Sequence, residues 1–409
     1  MYTYPTSLMK SYFKSYLGLQ RACYHGFALS LTESIFIGIY YYLTIYFVDV
    51  LHYDMATSGL IISCYGIGAV LGGMLGGKLA DEAPPIIVVA SSLLLQSIAY
   101  FAFNKLDSIF LLMCNVFMLG VASYGFITAN HIWILNLCKE YEHQRLKAIN
   151  ILATTSNLGL GLSAMMMSKI LYFGFPVIFL ISGCILFILA CVLFLYYKNE
   201  LTKTQISTAH QKEKLAEKNE FFPHQPRKKI TILILLNVFF VGLIITQISS
   251  TYVIYIKESY PNIGIKAFSF LFALNTFMVA FLGIQLGDYI KKYNKILMVG
   301  VGGFLIGFGM FMLIFAYTFF MAIAACIVYS VGEIIFFSMA QLVCYQNGPQ
   351  SKKGYSLGLY RMIFASSRVL GPAIGGVIYT MLGGSIVWII SGIIGLLCLV
   401  SCNYYKEYG

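Results

Sequence analysis

Apolar residues run along this chain in stretches of about twenty, each cut off by charge, glycine or proline, without the short alternation of a half-buried strand. The stretches fall near 22–48, 57–80, 86–103, 108–137, 148–172 and 176–197, and again near 230–256, 266–287, 295–316, 319–345, 356–382 and 385–404. A run of that length crosses the hydrocarbon core of a bilayer as one helix, so the pattern predicts an all-α membrane protein of twelve transmembrane helices. The one long polar stretch, Lys198 to Lys229, holds eight basic and four acidic side chains with Pro223 and Pro226. It divides the chain into an N-terminal segment (1–21), a six-helix bundle (22–197), a linker (198–229), a second six-helix bundle (230–404) and a tail (405–409). The first 21 residues carry Lys10, Lys14 and Arg21 but no small-residue cleavage site, so the run after them reads as a first helix and not as a removable signal.

Composition excludes a water-soluble globule: 59% of the 409 residues are apolar and only 11% charged, with a mean hydropathy of +0.80, against about 45–50% apolar in soluble chains. The net charge of +11 changes the picture only through its placement. With the N-terminus inside, 21 of the 27 Lys and Arg residues fall on the cytoplasmic side, four outside and two within spans, the bias that orients membrane chains. Both ends, the linker and the loop from Lys139 to Lys147 are then cytoplasmic, in a multi-pass protein of an inner (cytoplasmic) or plasma membrane. Topology accounts for the basic charge, so the partners expected are the lipid bilayer and a small molecule, not nucleic acid. Ten cysteines lie scattered with no CxxC pair and no histidine cluster, so neither a metal site nor a disulfide framework is expected. No phosphate-binding GxxxxGK[ST] loop and no convergent nucleophile and base are present, which argues against an enzyme and against ATP as the direct energy source.

The two halves match at an offset of 207 to 209 residues. Leu79-Ala80-Asp81 recurs as Leu286-Gly287-Asp288, Thr44-Ile45-Tyr46 as Val253-Ile254-Tyr255, and Ser182-Gly183 as Ser391-Gly392. Six spans per half starting from the same side make these parallel repeats, related by an axis along the membrane normal.

With Gly77-Lys78-Leu79-Ala80-Asp81 after span two and a basic linker between six-helix halves, the whole chain resembles a major facilitator superfamily transporter. Span eleven, with Gly354-Tyr355-Ser356-Leu357-Gly358-Leu359-Tyr360-Arg361 leading to Gly371-Pro372-Ala373-Ile374-Gly375-Gly376, resembles the drug:proton antiporter branch. The resemblance implies two pseudo-symmetric bundles rocking about a cavity lined by spans 1, 4, 7 and 10, with spans 2, 5, 8 and 11 between the bundles. The rest of the family's loop signature is replaced by Glu82, Pro84, Pro85 and Ile86. The branch's span-five Gly-Pro pair gives way to Gly159-Leu160-Gly161-Leu162-Ser163, and its span-four arginine to Val116. Because the family sets span two against span eleven, Gly77, Asp81 and Arg361 are the candidates for a conformational latch.

Charges at mid-membrane depth cost about 2.5–3.5 kcal/mol each to insert and mark function by default. Glu33, Glu333, Arg361 and Arg368 stand there. On spans that the resemblance places around the cavity, Glu33 and Glu333 are candidates for proton coupling, since a carboxyl that water reaches and leaves can gain and lose a proton. For Glu333 and Arg368 two roles stand open, a static ion pair or a contact with substrate. His131 and His25 could relay protons to Glu33. Asn115, Gln247 and Asn275, with Asn130 and Gln341, are in-span polar groups suited to a substrate or to a facing helix. The glycine steps Gly68, Gly72, Gly76 and Gly371, Gly375 would smooth the contact between bundles. The expected activity is proton-coupled export of a small organic molecule by a monomer that needs no cofactor beyond the proton gradient. Uptake of a nutrient, or a non-transporting sensor of the same fold, is the alternative.

Overall fold

A computed structural model describes residues 19–138, 142–204, 228–347 and 353–405. Most of the N-terminal segment, the middle of the linker and nearly all of the tail lie outside the described residues. Twelve helical spans and no strand occur among them. In chain order they are α1 (Arg21–Val50), α2 (Met55–Glu82), α3 (Pro85–Phe103), α4 (Ile109–Leu137), α5 (Glu142–Ile170), α6 (Phe175–Thr204), α7 (Lys228–Ile245 continued by Thr251–Ser259), α8 (Ile265–Ile290), α9 (Lys295–Met312), α10 (Phe319–Asn347), α11 (Lys353–Leu382) and α12 (Gly384–Tyr404). Eleven are long and apolar enough to cross a membrane. α5 departs from the rest, with Asn150, Thr154, Thr155, Ser156 and Asn157 in its first half. α6 runs on as helix to Thr204, into the polar stretch beyond the apolar run.

Successive helices alternate in direction. Odd-numbered helices start on the face that carries the linker, here the linker face, and end on the opposite face. Local chemistry fixes the turns: Asp54 accepts from the Thr57 amide at 3.0 Å and Asn294 from that of Leu297 at 3.0 Å, capping α2 and α9. The hydrogen bonds from Thr57 hold the Asp54 carboxyl below its ordinary pKa. Gly174 and Gly383, at φ +83° and +85°, turn α5 into α6 and α11 into α12, a backbone geometry that side chains beyond glycine resist.

These two glycines sit 209 residues apart, and the repeat extends to hydrogen bonds. The Tyr46 hydroxyl donates to the Phe103 carbonyl at 3.1 Å as Tyr255 does to Leu313 at 3.4 Å. Tyr53 donates to Asp107 as Tyr260 does to Ala316. Ser182 bonds back to Ile178 at 2.7 Å and Ser391 to Val387 at 2.8 Å. The first helix of each half is also broken at matching depth, α1 by a 3₁₀ turn at Gly38–Tyr42 and α7 by one at Thr246–Ser249. The breaks meet across the molecule: Thr44 donates to the Ser249 carbonyl at 2.8 Å and Tyr40 to the Ser249 hydroxyl at 3.4 Å.

The halves touch along α2 with α11 and α5 with α8. Toward the face opposite the linker the contact is close. A side chain at Gly59 would strike the Pro372 carbonyl, one at Gly376 the Met55 carbonyl, and one at Gly66 would stand 2.7 Å from the main chain of Arg368. Ser63 accepts from the Ala373 amide and Thr380 from that of Ala56, each at 3.0 Å. Asp49 of α1 and Lys257 of α7 close the rim as an ion pair at 2.5 Å, with side chains 30–31% exposed. The two glycine steps serve a different contact from the one expected of them. Gly68, Gly72 and Gly76 bring α2 onto α4 at Phe117, Val121 and Gly125, and Gly371 and Gly375 bring α11 onto α7 at Thr246 and Gln247. Both are packings within a bundle, where main chains must approach closely without a hydrophobic force to press them together.

Toward the linker face α2 and α11 part. Asp81 and Arg361 are both exposed and form no ion pair among the described residues, so the latch expected of Gly77, Asp81 and Arg361 is not made in this conformation, and Gly77 faces Thr128 of α4 instead. The molecule is sealed opposite the linker and open on the linker side.

The half-exposed Asp49–Lys257 pair contributes modestly to the seal, on the order of 0.5–1 kcal/mol. Asp49→Asn is therefore expected to raise the population open on that face roughly threefold, read from the distance distribution between spin labels at Lys105 and Tyr317 in nanodiscs. An unchanged distribution would remove the pair from the seal.

Candidate functional site

Between the open ends of the bundles lies a cavity of about 570 Å³. α5 contributes a polar stripe to it, Asn150, Thr154 and Asn157, at the i, i+4, i+7 spacing that puts side chains on one helix face. Across from it α10 contributes Glu333, Phe337 and Gln341, and α8 contributes Gly283 and Gly287. A side chain at Gly283 would meet open space. The low hydropathy of α5 follows from this placement, since the helix turns its polar face to a cavity and not to lipid.

Glu333 marks the deep end of this cavity. One carboxylate oxygen accepts from the Asn275 amide at 2.8 Å, and the same amide donates to Ser330 at 3.0 Å. The guanidinium of Arg368 acts on Glu333 electrostatically but stands beyond the 4.0 Å of an ion pair. Of the two roles left open for this pair, the static bridge is not formed. Arg368 rests instead against aromatic faces, 5.7 Å from the ring centre of Tyr124 and 5.2 Å from that of Phe364, an attraction between cation and ring quadrupole. Phe364 packs edge-on to Phe337 at 5.0 Å, which carries the aromatic wall from Arg368 to the cavity lining. Tyr41 lies within electrostatic range of both Arg368 and Glu333 and packs on Phe272 at 4.4 Å. Tyr40 stacks on Tyr65 at 4.1 Å. The charged centre thus draws on α1, α4, α8, α10 and α11.

Several polar residues expected at this cavity point elsewhere. Glu33 is 1% exposed and faces α3, accepting from the Gln96 amide at 3.3 Å, so it belongs to the interior of the N-terminal bundle and not to the substrate cavity. Asn115 donates to the Ala99 carbonyl at 3.0 Å and tethers α4 to α3. Gln247 is spent at the break in α7: its amide donates to Leu243 and Gly371 at 2.9 Å each, and its oxygen accepts from Thr251 at 2.9 Å and Ser250 at 3.3 Å. Asn130 holds the Gly26 carbonyl at 3.0 Å. Each of these side chains spends its polar groups on a neighbouring helix or, for Gln247, on a break in its own helix, partners that lipid cannot supply. Asn275 reaches Glu333, while His131, partly buried near the linker-side end of α4, lies within electrostatic range of Arg361 across the gap. His25 is exposed at the linker-side end of α1.

The sequence reading passed over the α5 stripe, although its signal is plain: three amides and hydroxyls at helical spacing in the least apolar span. The consecutive Tyr40, Tyr41 and Tyr42 of α1 point in different directions, as their run predicts, and Tyr41 is the one within range of both charges; Gln96, Tyr65 and Tyr124 are single residues in apolar runs that the sequence does not announce.

The Major Facilitator Superfamily profile matches residues 26–372. The chain is 23% identical over 347 residues to the "Uncharacterized MFS-type transporter YttB" of Bacillus subtilis (strain 168), covering 82% of each. Among solved structures it superposes with a TM-score of 0.78 on a POT family transporter in complex with thioalcohol conjugated peptide, at 14% identity over 95% of this chain and 96% of that one. On the nucleoside transporter NupG the score is 0.70, at 15% identity over 95% of this chain and 99% of that one. At these identities the superpositions speak for the fold.

Because Glu333 and Arg368 do not hold each other, Glu333→Gln and Arg368→Gln are each expected to fold with an unchanged melting temperature. Destabilised singles whose double variant recovers would instead show a structural pair.

Proposed function

Since this chain belongs to the Major Facilitator Superfamily, we propose that it is a secondary active transporter that exports a small organic molecule by alternating access, driven by protons exchanged at Glu33 and Glu333. The observation that carries this reading is the cavity ending at Glu333, open on the linker face while glycine contacts and the Asp49–Lys257 pair close the other. Rocking about the α2–α11 and α5–α8 contacts would expose the same residues to the other side. By the distribution of Lys and Arg the linker face is cytoplasmic, so the structure faces inward.

The two carboxyls take different parts. Glu333 lines the cavity and meets cargo and water together. Glu33 lies one turn before the break in α1, buried among helices with a single amide donor. A charge there is costly, so its proton occupancy is tied to whether the bundle admits water, and the broken turn is the place where α1 can yield. The latch of Asp81 and Arg361 belongs to the outward-facing state in this scheme, when the linker-side ends of α2 and α11 come together.

Uptake is the second reading, favoured by two sequence observations: α5 lacks the Gly-Pro pair of the antiporter branch, and Val116 of α4 stands where that branch has an arginine. Cells lacking and overproducing the protein distinguish the two. A compound that accumulates inside the first and outside the second means export, and one drained from the medium only when the protein is present means uptake.

If Glu33 is the proton site, Glu33→Gln in reconstituted vesicles will abolish movement driven by a pH gradient and leave exchange of cargo across the membrane intact. The same dependence on the gradient in the variant would take Glu33 out of the mechanism.

A further inference from the structure

Glu33 takes its one side-chain hydrogen bond among the described residues from Gln96 of α3, whose amide nitrogen donates to a carboxylate oxygen at 3.3 Å. Both side chains are enclosed, Gln96 at 0% exposure and Glu33 at 1%. No charged side chain among the described residues acts on Glu33. The titratable groups within electrostatic range of it are the hydroxyls of Tyr65 on α2 and Tyr100 on α3, and that of Tyr100 is spent on the Phe36 carbonyl at 2.7 Å. α5 meets α1 there with Gly159, against the main chain of Leu31 and the side chain of Ser34. The Gln96 amide is only half used, since its own oxygen, Oε1, is buried without a hydrogen bond, a state that is uncommon and costly in a dry interior.

An amide carries a donor and an acceptor at interchangeable positions. Half a turn about the last side-chain bond of Gln96, a torsion that is broadly two-fold, sets Oε1 where the nitrogen now stands, 3.3 Å from the Glu33 carboxyl. An ionised carboxyl only accepts, and the amide nitrogen meets it; a protonated one has an O–H to donate, and the turned amide oxygen meets that. Nothing else fixes which way the amide faces, because Oε1 has no partner to lose. The other buried amides differ: Gln247 has both ends engaged, and Asn115 and Asn130 donate to main-chain carbonyls, which only accept. We propose that Gln96 is the positioning residue for the Glu33 proton, its amide turning its nitrogen to the ionised carboxyl and its oxygen to the protonated one. Glu33 thereby changes state without losing its partner, and the turn leaves the α2–α11 and α5–α8 contacts untouched. This rests on the reading of Glu33 as a proton site and names the residue that follows its state.

The test is infrared difference spectroscopy of the full chain in vesicles over a series of pH values, with glutamine isotopically labelled at its side-chain carbonyl. The Glu33 proton is read as a carboxylic C=O band that grows as pH falls and is missing in Glu33→Met. One labelled amide carbonyl is expected to shift with the same midpoint as that band, and the shift should vanish in Gln96→Met and in Glu33→Met alike. In Gln96→Met the Glu33 band should also move to the frequency of an acid whose O–H has no acceptor. A side chain that only packs would lower the melting temperature of Gln96→Met and leave the labelled amide of the unsubstituted chain still across the titration. A Glu33 band that titrates while no labelled amide follows it overturns the inference, as does an unchanged band frequency in Gln96→Met. Should Gln96→Met fail to fold, the unsubstituted chain set against Glu33→Met still decides whether the amide follows the proton. No titrating band lost in Glu33→Met would remove the proton site itself and this inference with it, so the two failures read differently.

Discussion

Inside a bilayer no water waits to satisfy a freed amide or carbonyl, so a helix can break only where protein groups take over the orphaned backbone. This chain breaks its helices at two matched points, Gly38–Tyr42 in α1 and Thr246–Ser249 in α7, and lays one against the other. Thr44 and Tyr40 bond to Ser249 across the interface, and Gln247 ties its own break to Gly371 of α11. The contact between bundles on the sealed side is thereby built from the places where the backbone is least constrained. Smooth glycine approaches at Gly59, Gly66 and Gly376 surround it. Such a contact can be remade without unsatisfying a continuous helix.

Charge is distributed by the same economy. Around the rim, where water screens and solvates, Asp49 and Lys257 pair directly across the bundles, and the pair can be broken for little. In the interior, where breaking a pair would be expensive, the charges are kept apart: Glu33 with an amide, Glu333 with an amide, Arg368 with aromatic rings. In the proposed scheme, interior charges held this way would stay available to a proton or a ligand.

How far the sequence discloses this depends on what lipid does to hydrophobic patterning. Run lengths of apolar residues, the polar linker and the 209-residue echo are legible because they depend on bilayer thickness and chain symmetry. Which way a residue faces is not, because lipid and bundle interior are both apolar and the stripe that orients a soluble helix disappears. Glu33 and Glu333 look alike as single acids in apolar runs. Only the neighbours contributed by α3 and α8 show that one is buried within a bundle and the other faces the cavity. Asn115 and Gln247 likewise read as binding groups until the carbonyls of Ala99 and Gly371 appear beside them. α5 is the exception that fits the rule. Its cavity-facing stripe contrasts with lipid, so Asn150, Thr154 and Asn157 could have been found by spacing alone.

The repeat also explains why the charged centre is lopsided. Counting back 209 residues from Glu333 gives Tyr124, and from Arg368 gives Gly159. One half therefore presents the charges, and the other presents at the equivalent depth a ring and a bare backbone. Tyr124 faces the Arg368 guanidinium, and Gly159 packs on the main chain of α1 near Ser34, one residue from Glu33. Two halves descended from one pattern have divided the work. In the proposed scheme the C-terminal bundle offers Glu333 to cargo at the cavity, and the N-terminal bundle encloses Glu33, where only a proton would reach it. A carboxylate can bind a proton or a cargo group but not both at once. On that scheme Glu333 is where proton and cargo would compete, and Glu33, enclosed beside the break in α1, is where the outcome would pass to that helix.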